Sequence, residues 1–365
     1  MGSHMGTSVK NTNRNRLIQS SLLVILLTAM LVLQACGQSG SNSTGGKASP
    51  SSSSQENNGE QKGTDGTEPV VKKVPEKFTY LFVGVTGKQT GAEGWGFHTG
   101  IIPKVLAEYG IKEAEALGGG TGPDINESLL AGRADVASTG DTPQLLTRAA
   151  GNKTRLIGFQ SIQGESYLIG KKDGPTSVQD LEGKTVAVVK GSIMHRYIVG
   201  LLKENNVTAN IINLSWADSY AALTRGDIDA FAPAAYDYTS YKLANEEGFP
   251  TLDRGINHPQ LLGTAVTVAR EEFLNEYPDF TEAWDAARAA ALEDLRSKPD
   301  EYYKFVSEVT GGPVDIIPHL YPIELISDTG IIDDGVNLLR AAKQFLLDEN
   351  LAAGDFDLDQ WLYKK

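Results

Sequence analysis

Between residues 78 and 231, short apolar runs alternate with stretches of helical length, and this alternation constrains the fold more than any other feature. Strand-like runs fall at 78–85, 112–117, 135–138, 155–161, 167–170, 185–189, 210–214 and 228–231. Helical stretches at 100–109, 125–131, 143–149, 193–205 and 216–224 lie among them. Strands alternating with helices predict βαβ units and a largely parallel sheet, because parallel neighbours need a crossover that a helix supplies. From 271 onward the chain reads as mostly helical, with helices at 280–296, 300–308 and 333–349. An internal echo divides the pattern. Leu129-x-x-Gly132-x-x-Asp135 and Leu223-x-x-Gly226-x-x-Asp229 each join a helix to an apolar strand. Glycine at a helix end takes the left-handed cap, and the aspartate opens the strand. The repeat predicts two similarly built α/β lobes, each a mostly parallel sheet flanked by helices.

Ahead of this region stands an address. Residues 1–8 read as vector-derived sequence and 9–35 as a signal peptide. Arg14 and Arg16 precede the apolar body at 22–33, which is too short for a comfortable membrane span of about 20 residues. Leu33-Gln34-Ala35-Cys36 then resembles a bacterial lipobox, in which the cysteine takes a lipid and the chain is cut just before it. Residues 36–75 are rich in Ser, Gly, Asn, Gln and Thr and hold too little apolar surface to fold, so they read as a flexible tether. The expected location is the outer face of the cell membrane, held there by the lipid on Cys36.

Charge and cysteine content exclude several functions. The formal net charge is −13, and positions up to 70 hold only five of the 33 Lys and Arg and four of the 46 Asp and Glu. The acidic excess therefore belongs to the region that follows, which argues against nucleic acid and against electrostatic adsorption to anionic lipid. Cys36 is the only cysteine. Once it is lipidated, disulfide, zinc-thiolate and iron–sulfur roles are excluded. No cofactor and no metal is expected, and the chain is expected to be a monomer.

The candidate chemistry lies where helices begin. Thr121-Gly122-Pro123 and Asp141-Thr142-Pro143 place Pro at a first helical position. Ser192 precedes the 193–205 helix and Ser215 the 216–224 helix, each as a capping residue. In open α/β sheets such starts gather at the carboxyl ends of the strands, where free N–H groups and the helix dipole attract anions. The glycine-rich stretch from Gly84 through Gly87, Gly91 and Gly94 to Gly96 has neither dinucleotide nor P-loop spacing. It reads as a long mobile turn carrying Trp95, Phe97 and His98, aromatics that either stack on a ligand or pack on the lobe. Neither G-x-S-x-G nor H-E-x-x-H occurs, and the histidines are scattered. Among them His195 stands out, one turn after Ser192.

Three segments carry a family resemblance: 124–143 (DINESLLAGRADVASTGDTP), 181–195 (LEGKTVAVVKGSIMH) and 221–229. They resemble the periplasmic binding proteins of ABC importers for sulfonates, taurine and nitrate, whose relatives also carry thiamine precursors. The resemblance implies a two-lobed periplasmic-binding-protein fold of type II. Lobe 1 would be 76–170 plus 263–365 and lobe 2 would be 171–262, with crossing segments at 167–170 and 264–268. It implies partners too: an ABC permease and ATPase, with membrane contact through lipid alone. Where the family often shows Trp-Asp-Pro-Tyr, this chain has Ala234-Ala235-Tyr236-Asp237, which leaves a plain alkanesulfonate in doubt. The expected site takes an anionic or polar head on Thr121, Gly122, Thr142 and Ser192, with His195 nearby. Asp141, Glu165 or Asp237 would hold an amine or ring N–H. Trp95, Phe97, Trp216 and Tyr236 would line an apolar body. A sulfonate or taurine-like aminosulfonate fits, and so does an N-heterocycle or other organic anion. An enzyme on the same fold is the remaining alternative, since pyrimidine-synthesising and chorismate-processing relatives exist.

Overall fold

The computed structural model describes residues 72–84 and 88–364. Cys36, the apolar run before it, the tether up to 71 and Gly87 lie outside the described residues. In chain order the first elements are β1 (Lys77–Phe82), α1 (Gly91–Thr99), α2 (Ile101–Glu108), β2 (Glu113–Gly118), α3 (Gly122–Leu130), β3 (Val136–Gly140), α4 (Asp141–Ala149) and β4 (Thr154–Gly164). There follow β5 (Tyr167–Gly170), β6 (Thr185–Val188), α5 (Ile193–Glu204), β7 (Asn210–Asn213), α6 (Trp216–Arg225), β8 (Ala230–Phe231), α7 (Tyr238–Asn245) and β9 (Thr251–Arg254). The chain then forms β10 (Gly263–Arg270), α8 (Glu271–Glu276), α9 (Phe280–Ser297), α10 (Pro299–Thr310), α11 (Ile317–Leu320), α12 (Asp333–Asp348) and α13 (Leu358–Trp361).

Two five-stranded sheets result, ordered β2-β1-β3-β10-β4 and β7-β6-β8-β5-β9. Each has three parallel strands followed by two antiparallel ones, so the sheets share one topology. Both faces of each sheet are covered. In β1, Phe78, Tyr80 and Phe82 point into one core and Leu81 into the other. In β6, Val186 and Val188 face one core and Ala187 the opposite one. This period of two, with both faces buried, is the signature of sheets clad in helices.

The sequence echo has a physical basis. Asp135 Oδ2 accepts the Thr79 N–H at 3.0 Å, and Asp229 Oδ2 accepts the Thr185 N–H at 2.9 Å. Each aspartate thus ties its own strand to the parallel neighbour, β1 in the first sheet and β6 in the second. Gly132 (φ 68°) and Gly226 (φ 79°) both take the left-handed conformation that a side chain disfavours.

Two expectations need correction. β5 pairs with β8 and β9 in the second sheet. Residues 167–170 are therefore part of the second lobe rather than a crossing segment. The chain crosses just before them, and it returns at the start of β10, which lies wholly in the first sheet. Second, the glycine-rich stretch is no mobile turn from Gly91 onward but helix α1. Glycine costs roughly 1 kcal/mol in a helix relative to alanine, yet here tertiary packing demands it. A Cβ on Gly94 would lie 1.7 Å from the Gln89 carbonyl oxygen, and one on Gly96 2.7 Å from Ala291 Cβ of α9.

Candidate functional site

The carboxyl ends of the parallel strands feed directly into helix starts. β2 turns through Gly119-Gly120, with Gly120 at φ 85°, into α3. Thr121 caps α3, and its N–H and hydroxyl both donate to Asp124 Oδ2 at 2.8 and 2.6 Å. β3 runs into α4 with Gly140 as its cap, so Asp141 sits inside the first turn, and Pro143 lies two residues further in. β6 leads to Ser192, whose Oγ accepts the His195 N–H at 3.2 Å and caps α5. Ser215 and Asp237 cap α6 and α7 in the same way.

Missing side chains bring these starts together. A Cβ on Gly122 would lie 2.7 Å from Pro143 Cγ. On Gly191 it would lie 3.7 Å from Pro123 Cγ and 3.8 Å from Leu146 Cδ1, and on Gly140 2.7 Å from Ile193 Cδ1. The starts of α3 and α4 in the first lobe therefore meet the start of α5 in the second. Helix N-termini leave N–H groups without carbonyl partners inside the helix, so three such ends at one junction concentrate hydrogen-bond donors and positive potential.

Behind this junction the lobes are locked by a buried ion pair. Arg196 of α5 and Asp141 of α4 are both 0% exposed. Asp141 Oδ2 accepts from Arg196 Nη2 at 3.2 Å and from the Thr264 N–H at 2.8 Å, and Oδ1 accepts the Thr142 hydroxyl at 2.7 Å. Arg196 also donates through Nε to Thr142 Oγ1 at 3.0 Å and through Nη2 to the Leu262 carbonyl at 3.1 Å. Its Nη1 is left without a protein partner. Asp141 and Thr142, expected to face a ligand, are thus spent on holding α4, α5 and the start of β10 together. On the same side Phe345 of α12 packs against the second-lobe core, and Lys203 pairs with Glu349.

Other expected residues part from the junction as well. Glu165 is held by Arg254 in a two-pronged pair of 2.8 Å bonds, which satisfies its carboxylate. Trp95 is 4% exposed among Leu292, Tyr302 and Phe305, and its Nε1 donates to Asp294 at 2.8 Å. Phe97 stacks on Tyr80 at 6.0 Å, and His98 on Phe305 at 4.5 Å. For these three rings the structure selects packing onto β1, α9 and α10. Their helix spacing hid this, because the stretch reads as a glycine loop.

A separate aromatic group also joins the lobes. Trp216 opens α6 and sits 6.4 Å from Tyr236, which in turn lies 5.8 Å from Tyr321. Trp216 and Tyr236 belong to the second lobe, while Tyr321 follows α11 of the first. Tyr236 keeps 39% of its surface accessible. Enough protein still surrounds its hydroxyl that burial, with Asp237 adding, pushes its pKa up to about 12. Burial raises the Asp237 carboxyl above its ordinary range, opposed by bonds from Ser240, while one of its oxygens caps α7. His195 is half-buried beside the junction, and burial first and Lys190 second lower its pKa. Its Nδ1 accepts the Gly191 N–H at 3.3 Å. Tyr321 was invisible in the sequence: it falls between Leu320 and Pro322, in a tail with no motif. Among the described residues no group of His, Cys, Asp and Glu is arranged to hold a metal ion.

Comparison with known proteins places this architecture. The family model described as NMT1/THI5 like matches residues 108–302, more than half of the chain. The chain belongs to the NMT1/THI5-like family. This NMT1/THI5-like chain is 33% identical over 116 residues to an Escherichia coli (strain K12) protein that bears the name of an aliphatic sulfonates-binding protein. That match covers 30% of the chain and 36% of the relative. It is 26% identical over 197 residues to the taurine-binding periplasmic protein of the same organism, covering 50% of the chain and 58% of the relative. The chain thus spans from about a third to somewhat over half the length of these relatives. Its fold matches the alkanesulfonate-binding protein of Xanthomonas axonopodis pv. citri bound to MOPS, with a TM-score of 0.68 and 18% identity. That likeness covers 80% of this chain and 99% of the other. The same fold occurs in a desulfurization enzyme, at a TM-score of 0.61 and 16% identity.

Proposed function

We propose that this NMT1/THI5-like protein is an extracytoplasmic solute-binding protein that captures a small organic anion between its lobes and delivers it to an ABC importer. The observation that carries the reading is the junction of three helix starts from both lobes, at the carboxyl ends of parallel strands in two sheets of one topology, where open α/β sheets hold ligands. Relatives named for sulfonates and taurine support a sulfonate or aminosulfonate head group. In this reading the first-turn N–H groups at Gly122, the Thr121 turn and Ser192 receive the head, with His195 beside them. Trp216, Tyr236 and the carboxylate of Asp237 contact the body. The lipid on Cys36 keeps the protein close to its permease.

The aromatic group with a partly buried Asp237 favours a second reading, an N-heterocyclic ligand whose ring N–H bonds the carboxylate. Thermal unfolding of ligand-free protein with sulfonates, aminosulfonates and pyrimidines separates the two. A true ligand at 100 times its dissociation constant adds about 2.7 kcal/mol of stability. Lack of stabilisation by every member of the panel would sink the binding reading, whereas mass-spectrometric turnover of a panel member would point to an enzyme. The lipid is tested separately: Cys36→Ser should move the protein from the membrane fraction to the medium.

A further inference from the structure

We propose that the cleft selects ligands with a ring-bearing body over short alkyl chains, and that Tyr321, supplied by the C-terminal segment, is a specificity-determining residue alongside Trp216 and Tyr236. The inference rests on the solute-binding reading above and narrows its substrate class.

The three rings reach one place from three segments. Trp216 follows the carboxyl end of β7 and Tyr236 that of β8, the positions where open α/β sheets hold their ligands. Tyr321 comes from the other lobe, so the Tyr236–Tyr321 contact spans the cleft. A second aromatic contact runs parallel to it, with Tyr241 of α7 lying 6.0 Å from His319. Rings that merely fill a core are sealed, as Trp95 and Trp361 are at 4% and 0% exposure. Tyr236 is flanked by two rings and still 39% exposed.

Trp216 and Tyr236 are inclined at 63°, Tyr236 and Tyr321 at 54°, so no pair is stacked flat. A planar ligand entering as the lobes part meets ring faces and edges together, the arrangement aromatic pairs prefer at centroid distances of about 4.5–7 Å. A two-carbon chain covers little of that surface.

The test compares matched head groups. Dissociation constants for ethanesulfonate, taurine, benzenesulfonate and 2-naphthalenesulfonate are measured by calorimetry on ligand-free protein and on Tyr321→Leu, Tyr321→Phe and Tyr236→Leu. The aryl sulfonates should bind at least tenfold more tightly than ethanesulfonate. Tyr321→Leu should remove most of that ratio while ethanesulfonate affinity changes by less than about threefold, and Tyr321→Phe should keep it. Equal affinity for both series, or a ratio untouched by Tyr321→Leu, overturns the inference and leaves the solute-binding reading standing. No binding by either series overturns the inference together with the sulfonate reading, while pyrimidine binding would still carry the solute-binding role. Unfolding curves recorded for each variant separate lost preference from lost fold.

Discussion

The two sides of the cleft are built from opposite materials. At the back, Arg196, Asp141 and Thr264 form a charged network with no exposure, and Ile193 fills the space left by Gly140 and Gly263. At the front, Trp216, Tyr236 and Tyr321 meet through ring contacts, and water reaches the middle ring. The back fixes where α4 and α5 begin. The front is free to exchange one aromatic neighbour for another. A buried pair tolerates no missing partner, whereas an exposed ring contact contributes about 0.5–1.5 kcal/mol and is easily replaced. Under the proposed function, rigidity and recognition are thus divided between the sides.

The sharpest break in that contrast is Asp141→Ala, which strands the Arg196 guanidinium. It should cost about 3–5 kcal/mol in urea unfolding, and Asp141→Leu with Arg196→Met should recover much of the loss. A smaller effect at the back is expected from Gly263→Ala. A Cβ there would fall 2.5 Å from Ile193 Cγ2, and overpacking of this kind costs about 1–3 kcal/mol. Adding Ile193→Val should restore part of it, which a loss arising elsewhere would not show. At the front, Tyr236→Ala should change stability by only about 1 kcal/mol while altering ligand preference. Equal destabilisation by Asp141→Ala and Tyr236→Ala would erase the distinction.

The smallest effect is a pH dependence at the start of α5. The folded pKa of His195 lies below its ordinary 6.5, so folding favours the neutral ring. Its contribution to stability is complete above pH 6.5 and falls as the pH drops below that value through the folded pKa. His195→Asn should therefore flatten the stability curve below pH 6.5 relative to the unaltered protein. An anion bound beside the ring favours the imidazolium, so anion affinity should rise on acidification in the unaltered protein but not in the variant.

Much of the fold was legible because it is written in local patterns. The alternation of strands and helices, the caps at Ser192 and Ser215, and the paired Leu-Gly-Asp turns depend on residues within a few positions of each other. The site was only half legible. Ser192, Trp216 and Tyr236 stand at strand ends, which a period-two pattern locates. Asp141 and Thr142 stand there too, yet their partners Arg196 and Thr264 lie far along the chain, and nothing local marks a carboxylate as already paired. Trp95 and Phe97 misled for a related reason: five glycines from 84 to 96 look like a loop, and only the packing of α9 against Gly96 shows that the later ones lie in a helix.

The sequence alone determined two α/β lobes, the helix starts at their strand ends and the absence of any thiol but Cys36, since each follows from short-range periodicity, capping or composition. Only the tertiary structure decided which starts converge, that Asp141 closes a lock, and that Tyr321 crosses from the tail to face Tyr236. Those outcomes depend on contacts between distant segments, whose free energies depend on geometry that residue identity does not encode.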